Sequence, residues 1–212
     1  MSHHNSHRLD DAGRNEGYVY LTGVEPIFAV VLDTYGPPPL WKRQESFDSL
    51  VKIILEQQVS LASAQAAFDR LSSVLGTITP DSILTLDDRQ LKTVGFSKQK
   101  TVYVRNLAHA VLVGDVDLER LKTLPDEKIR DSLTSIKGIG IWTANIYLLM
   151  AMQRPDIWPS GDIALAASYQ RLKQLPKRPS NEEIEQISNN WAPHRSLAAR
   201  LLWHNYLSGN KK

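Results

Sequence analysis

Cysteine is absent from all 212 residues of the sequence. The chain therefore has no disulfide, no zinc site built on thiolates and no iron–sulfur cluster held by cysteine ligands. The histidines offer no alternative, because His3, His4 and His7 lie in a polar stretch and the other three lack the spacing of metal ligands. We expect no protein metal site and no iron–sulfur cluster.

Long apolar runs and an excess of one charge are also missing. The run "IYLLMAM" ends at Gln153, far short of the roughly 18 apolar residues that suggest a membrane-spanning helix, and the N-terminus lacks the apolar core of a secretory signal. The net charge of +2 permits binding to nucleic acid without predicting it. We expect no membrane association and a cytoplasmic location, with the nucleoid or nucleus as the place if the chain binds DNA.

No segment alternates between apolar and polar residues as a half-buried strand does, whereas helical spacing recurs along the chain. Phe47, Leu50, Val51, Ile54 and Leu55 form one apolar helical face. Further helices are predicted at 62–74, 80–86, 88–93, 98–113 and 117–121 and in the segments "EPIFAVVLDTYG", "IALAASYQRL", "SNEEIEQISNNW" and "SLAARLLWHNYL". The fold class predicted is all-α.

The N-terminal stretch and the stretch that begins at Ser180 each give a further structural prediction. Residues 1–17, "MSHHNSHRLDDAGRNEG", are polar and aperiodic, which predicts a disordered tail. Ser180 and Glu183 have the spacing of a capping box, which predicts a helix that begins directly after Ser180.

The stretch "SIKGIGIWTAN" places Gly138 and Gly140 between two helical patterns. The helix before it is indicated by Ile129, Leu133 and Ile136, and "ANIYLLMAM" continues after it, so residues 126–150 read as helix, glycine hairpin, helix. Glycines here allow main-chain N–H groups to approach a phosphate closely, but a packed turn between core helices explains them equally well. The stretch alone does not decide between the two.

Asp162 follows in "WPSGDIAL", where a turn leads into a helix. With the hairpin it resembles the HhH-GPD superfamily of DNA glycosylases, and "FDSLVKIILEQQVSLASA", "VGFSKQKTVYVRNLA", "PSGDIALAASYQRL" and "WAPHRSLAARLLW" are similar to its DNA-3-methyladenine glycosylase II branch. The resemblance implies two helical lobes, one of residues 46–155 and one of 18–45 plus 156–208, without the N-terminal β domain of the best-known bacterial enzyme.

The function that this resemblance implies is excision of alkylated purines from double-stranded DNA in base excision repair. Asp162 is then the catalytic residue, although an aspartate at a helix start is more often only an N-cap. Gln58 is expected to fill the gap left by the extruded nucleotide, the alternative being that it simply ends a helix.

Other roles also come from the resemblance. Trp142, Trp203 and Ile146 are expected to line the base pocket, with burial in the core as the alternative for Trp203. The residues expected to hold DNA phosphate are Gly138, Gly140, Lys137 and Thr143. No cofactor is implied beyond a monovalent cation at the hairpin when DNA is bound, and the expected assembly is a monomer.

Two departures from the family pattern refine the prediction. Trp142 occupies the position where bifunctional relatives carry a Schiff-base lysine, which predicts hydrolysis of the glycosidic bond alone. Ile146 replaces an aromatic residue, so the preferred lesion is left open among 3-methyladenine, 7-methylguanine, ethenoadenine and other damaged bases. The alternative classes are a non-catalytic helix-hairpin-helix DNA-binding protein and a helical protein-interaction domain, which would leave Asp162 unexplained.

Overall fold

The computed structural model describes residues 8–209, which form thirteen α-helices and contain no β-strand in that range. The all-α prediction is confirmed. The helices are α1 Asp11–Val24, α2 Ile27–Tyr35, α3 Phe47–Glu56, α4 Leu61–Leu75, α5 Pro80–Thr85, α6 Asp88–Val94, α7 Lys98–Leu112, α8 Leu118–Leu121, α9 Asp126–Thr134, α10 Ile141–Met150, α11 Ile163–Leu172, α12 Asn181–Ser188 and α13 Arg195–Gly209, with a short 3-10 turn at Asn189–Trp191.

Within the described range, the chain divides into two compact units. Unit 1 comprises residues up to Lys42 together with those from Leu148 onward, and unit 2 comprises Arg43–Tyr147. The second boundary therefore falls inside α10, earlier than the residue 155 expected from the sequence. The helix α10 continues without a break across this boundary, and the turn at residues 151–160 that follows it belongs wholly to unit 1.

Unit 1 is built around α13, which packs against α2 and α11. Trp191 is 1% exposed and makes an edge-on contact with Phe28, with 5.2 Å between the ring centroids. Trp158 also packs edge-on against Trp191, at 5.4 Å. Rings that bury this much apolar area supply a large share of a small core.

Unit 2 contains the amphipathic helix predicted from the sequence. The apolar face of α3, including Leu50, Val51 and Ile54, is fully buried, and α3 packs against α4 and α7. Asp87 and Gln90 form a capping box at the start of α6. The capping box predicted for Ser180 and Glu183 is likewise present, in unit 1 at the start of α12.

The predicted tail is wrong over part of its length. Residues 1–7 lie outside the described range, but α1 begins at Asp11, inside the span predicted to be disordered. Asp10 caps α1 by accepting a hydrogen bond from the Gly13 N–H, and Gly17 packs so closely that a Cβ there would overlap Leu197. Tertiary packing on α13 therefore stabilises a polar segment with no strong helical pattern.

None of the helices in residues 8–209 has both the length and the apolar character needed to cross a membrane.

Candidate active site

The glycine hairpin joins α9 to α10 within unit 2. Ile129 and Leu133 bury one face of α9, and the chain turns through residues 135–140 before α10 begins at Ile141. Gly138 has φ +108°, and a Cβ at this position would overlap the ring of Tyr103 from α7. Only glycine fits there, for steric and conformational reasons internal to the protein.

Gly140 has no such constraint. Its φ lies outside the left-handed region, and a Cβ added to it would have no heavy atom within 4 Å. The fold alone therefore does not explain this second glycine. Glycine at this position leaves the backbone accessible to another molecule.

The carbonyl groups of the hairpin are bound by side chains of the protein itself. Asn106 Nδ2 donates to the Lys137 oxygen at 3.0 Å, and Gln57 Nε2 donates to the Gly138 oxygen at 3.0 Å. The N–H groups of Gly138 and Gly140, by contrast, have no acceptor among residues 8–209. Amides left open beside a helix N-terminus form a favourable site for an anion.

Two other residues predicted to hold phosphate have different surroundings. Lys137 is exposed, so its ammonium group is accessible to an anion at the hairpin. Thr143 is only 2% exposed, and its Oγ1 accepts a hydrogen bond from Gln57 Nε2 at 3.0 Å. The side chain of Thr143 thus supports the hairpin from inside, and its expected contact with phosphate stays a prediction.

Gln58 lies in the loop between α3 and α4. It is exposed and has φ +56°, an uncommon conformation for a residue with a side chain. The loop is held from α7, where Lys100 Nζ donates to the Leu55 oxygen at 2.6 Å, and burial lowers the pKa of Lys100. The exposed side chain thus lies on a strained, braced backbone, and the wedge role of Gln58 stays a prediction.

The expected base-pocket residues of α10 differ in exposure. Trp142 is half-buried. Ile146 is only 2% exposed, and its assignment to the pocket lining stays a prediction. The next residue, Tyr147, is 1% exposed, and burial raises the pKa of its phenol. Helical geometry sets this difference, because Trp142 lies in the first turn and the later residues are covered on all sides.

Trp203 of α13 forms an aromatic cluster within unit 1 that the sequence did not predict. It is 8% exposed, and Trp41 packs edge-on against it with 6.3 Å between the ring centroids. Trp41 has φ +45° and is half-buried. No pattern in the sequence places the ring of Trp41 beside Trp203.

Asp162 ends the turn that leads into α11. Gly161 precedes it with φ +86°, and Asp162 Oδ1 accepts hydrogen bonds from the N–H groups of Ala164 at 3.0 Å and Leu165 at 3.3 Å. The carboxylate is thus an N-cap, half-buried and fixed on the first turn of the helix. Amide donors and the positive end of the helix both stabilise its negative charge.

The turn before Asp162 is held by the start of α13. Arg195 binds Asp156 through two side-chain hydrogen bonds of 2.7 and 2.9 Å, and this bonding raises the pKa of Arg195. Ser196 Oγ donates to the Arg154 oxygen at 2.7 Å and accepts from the Ile157 N–H at 2.9 Å. The sequence showed this segment only as the similar stretch "WAPHRSLAARLLW"; the role of Arg195 and Ser196 emerges from the tertiary contacts.

No group of three or more His, Asp or Glu side chains within residues 8–209 is arranged to hold a metal ion.

Known proteins share this architecture. The family model described as HhH-GPD superfamily base excision DNA repair protein matches residues 51–194. DNA-3-methyladenine glycosylase 1 of Schizosaccharomyces pombe is 30% identical over 177 residues, which is 82% of this chain and 78% of that protein.

Two solved structures have a similar fold. A 3-methyladenine DNA glycosylase of Schizosaccharomyces pombe in complex with abasic DNA has a TM-score of 0.83 and 26% identity, and the match covers 92% of this chain and 97% of that one. A DNA-3-methyladenine glycosidase from Bacillus halodurans has a TM-score of 0.74 and 25% identity, with coverage of 95% and 93%. The chain therefore belongs to the HhH-GPD superfamily of base excision DNA repair proteins.

Proposed function

We propose that this protein is a monofunctional DNA glycosylase that removes alkylated purines, of the 3-methyladenine type, from double-stranded DNA and leaves an abasic site. The observation that carries the proposal is Asp162, a carboxylate fixed by two backbone N–H groups at the start of α11 within the region matched by the family model. The names of the similar glycosylases support the same substrate class.

Binding begins at the hairpin. The open N–H groups of Gly138 and Gly140 and the exposed ammonium of Lys137 hold a backbone phosphate, which positions the enzyme without reading the sequence of bases. A similar glycosylase has been solved with abasic DNA, which supports duplex DNA as the ligand. Because its substrate is chromosomal DNA, the enzyme acts in the nucleoid or the nucleus. We also propose that it acts as a monomer.

The target nucleotide must leave the stack before its glycosidic bond can be reached. Extrusion costs a few kcal/mol, and less where alkylation weakens base pairing. Gln58, exposed on its strained loop, fills the gap and slows the return of the base.

Alkylation at N3 or N7 makes the purine cationic and a better leaving group. An aromatic face stabilises such a ring by about 0.5–2 kcal/mol. Trp142 offers such an aromatic face in unit 2, and Trp203, against which Trp41 packs, offers one in unit 1.

In the chemical step the bond between C1′ and the purine nitrogen breaks, and its electron pair leaves with the base. Positive charge develops on the deoxyribose, and the ionised Asp162 stabilises it. A water oxygen then attacks C1′ and passes its proton to the Asp162 carboxylate. Opposite charges about 4 Å apart attract by about 4 kcal/mol at an effective dielectric of about 20, which corresponds to roughly a thousandfold in rate.

The reaction stops at the abasic site because Trp142 occupies the position of the Schiff-base lysine. Lys137 is the nearest amine in the hairpin sequence, and it precedes both glycines.

A monovalent cation at the hairpin also fits the residues present. The Ile139 carbonyl oxygen has no donor among residues 8–209, whereas those of Lys137 and Gly138 are already bound. When bound, a cation would neutralise part of the phosphate charge.

The test is to incubate the protein with methylated duplex DNA and to identify the released bases by chromatography. We expect free alkylated purines and strands that break only after alkali is added, with no adduct after borohydride treatment. Adduct formation and cleavage without alkali would contradict monofunctionality. Tight binding without base release would favour a non-catalytic DNA-binding protein.

A further inference from the structure

Gln57 makes two hydrogen bonds that join the loop of Gln58 to the glycine hairpin. Its Nε2 donates to the Gly138 oxygen and to Thr143 Oγ1, both at 3.0 Å. A side-chain amide nitrogen has two hydrogens, so both are used. The sequence separation between the partners is more than 80 residues, and this contact is therefore a purely tertiary link within unit 2.

The same residue also shapes the loop. Gln57 is the C-cap of α3, with φ −59° and ψ 122°, and the chain leaves the helix here to reach Gln58 at φ +56°. The end of α3 is fixed independently, since Lys100 donates to the Leu55 oxygen and Arg43 pairs with Glu56 at 2.7 Å. The loop is therefore braced on the helix side by charged groups and on the hairpin side by Gln57.

The hydrogen bonds to the hairpin carbonyls fix the orientation of its peptide groups. With the Gly138 oxygen bound by Gln57 and the Lys137 oxygen bound by Asn106, the peptide groups of the turn are held by their carbonyl ends. The N–H of Ile139, in the same peptide group as the Gly138 oxygen, donates to the Ile136 oxygen at 3.0 Å, whereas the N–H groups of Gly138 and Gly140 have no acceptor in the described chain. Gln57 therefore supplies one of the two hydrogen bonds that fix the Gly138–Ile139 peptide, and its loss would loosen the turn that presents the N–H groups of Gly138 and Gly140.

We propose that Gln57 is a positioning residue that makes phosphate binding by the hairpin and insertion of Gln58 a single coupled event. The inference rests on the proposed function, because it takes the hairpin as the phosphate site and Gln58 as the wedge. Gln57 itself touches neither the base nor the phosphate; it acts through Gly138, Thr143 and the backbone of its neighbour.

The key variant is Gln57→Met, which keeps the length of the side chain and removes both donors. The probe is a duplex with a tetrahydrofuran abasic-site analogue and a neighbouring 2-aminopurine, whose fluorescence rises when the wedge disturbs the stack. We expect Gln57→Met to bind about tenfold more weakly, from the loss of two hydrogen bonds. We also expect the fluorescence rise at saturating protein to fall by about half or more.

The size of the fluorescence rise at saturating protein shows whether Gln57 positions the wedge or only stabilises the fold. A residue that only stabilises the fold would lower the melting temperature and leave the amplitude of bound protein unchanged. Gln58→Ala should abolish the rise, which calibrates the probe. Gln65→Met is the matched control, because Gln65 is exposed on α4 and bonds only to Asp69 of the same helix.

Thr143→Val provides a second variant in case Gln57→Met does not fold, since it removes one of the two bonds with little change in shape. We expect intermediate binding and amplitude. Wild-type affinity and amplitude in Gln57→Met, or in Thr143→Val if the first variant is unfolded, would overturn the proposal. Failure of the wild type to release bases from methylated DNA would overturn the proposed chemistry instead, and the binding assay would still report on Gln57.

Discussion

The helices α10 and α11 differ in the residue that caps their N-termini. The residue before α10 is Gly140, which has no side chain to cap the helix, and its own N–H has no acceptor among residues 8–209. The residue before α11 is Asp162, whose carboxylate caps the helix by accepting two N–H bonds. One helix end is left open to an external anion, and the other holds an anion that belongs to the chain.

The two preceding turns are also held differently. Neutral amide side chains, Asn106 and Gln57, bind the carbonyls of the hairpin. The turn before Asp162 is held by the charged pair of Arg195 and Asp156 and by Ser196. A strong anion near the hairpin would repel phosphate, whereas a paired charge beside the other turn restrains the carboxylate. Under the proposed function, the hairpin serves binding and the Asp162 turn serves the chemical step.

The strongest test of this division is Asp162→Asn. Asparagine still caps the helix, so the fold should be retained, but the charge is lost and base release should fall by about a thousandfold. Affinity for abasic duplex should stay near that of the wild type. Base-release rates and binding isotherms are measured together. A rate within about threefold of the wild type would remove Asp162 from the catalytic role.

Substitutions at the two hairpin glycines are expected to affect different properties: Gly138 governs stability and Gly140 governs DNA binding. Gly138→Val should lower the free energy of unfolding by about 2–4 kcal/mol, because the side chain overlaps Tyr103 and the backbone is left-handed. Gly140→Val should leave stability within about 0.5 kcal/mol but weaken binding to every duplex by about tenfold.

Denaturant unfolding and binding to several duplexes of different sequence provide the two measurements. Unchanged affinity in folded Gly140→Val would show that the amides of the turn do not hold phosphate.

Asp156→Asn addresses the other turn. It removes the charge that pairs with Arg195, and we expect a loss of about 1 kcal/mol of stability together with a base-release rate lowered by about fivefold, because Asp162 is less well positioned. Affinity for abasic duplex should not change. A reduced affinity with an unchanged rate would reverse the assignment of the two turns.

The smallest effect concerns His194, next to Arg195. Burial lowers the pKa of His194 below its ordinary 6.5. The unfolded chain then binds more protons than the folded chain, so stability should fall as the pH drops from above 6.5 to below the pKa in the folded protein. His194→Asn should flatten this part of the stability profile, measured by thermal unfolding from pH 8 to 5. An identical slope in the variant would assign the dependence to other groups.

The helices and the hairpin could be predicted because their signals are local. The spacing of Ile129 and Leu133, the capping box of Ser180 and the two glycines are visible within one or two helical turns. The placement of Asp162 at a helix start belongs to the same class, because an N-cap is defined by its immediate neighbours. Family resemblance then suggested a role for each residue, but not its burial.

What the sequence could not show depends on contacts between distant segments. Gly138 and Gly140 look alike in "GIG", and only the ring of Tyr103 makes the first one structurally required. The resemblance assigns Thr143 to the phosphate site and Ile146 to the base pocket, but it does not show that packing buries both side chains. The helix in the polar residues from Asp11 onward forms against α13, and Gln57 reaches the hairpin across the fold. By itself the sequence determined the helices, the turn and the identity of the carboxylate, since backbone preference is local. The tertiary structure decided which groups are covered and which remain open, because burial depends on what the rest of the chain places against them.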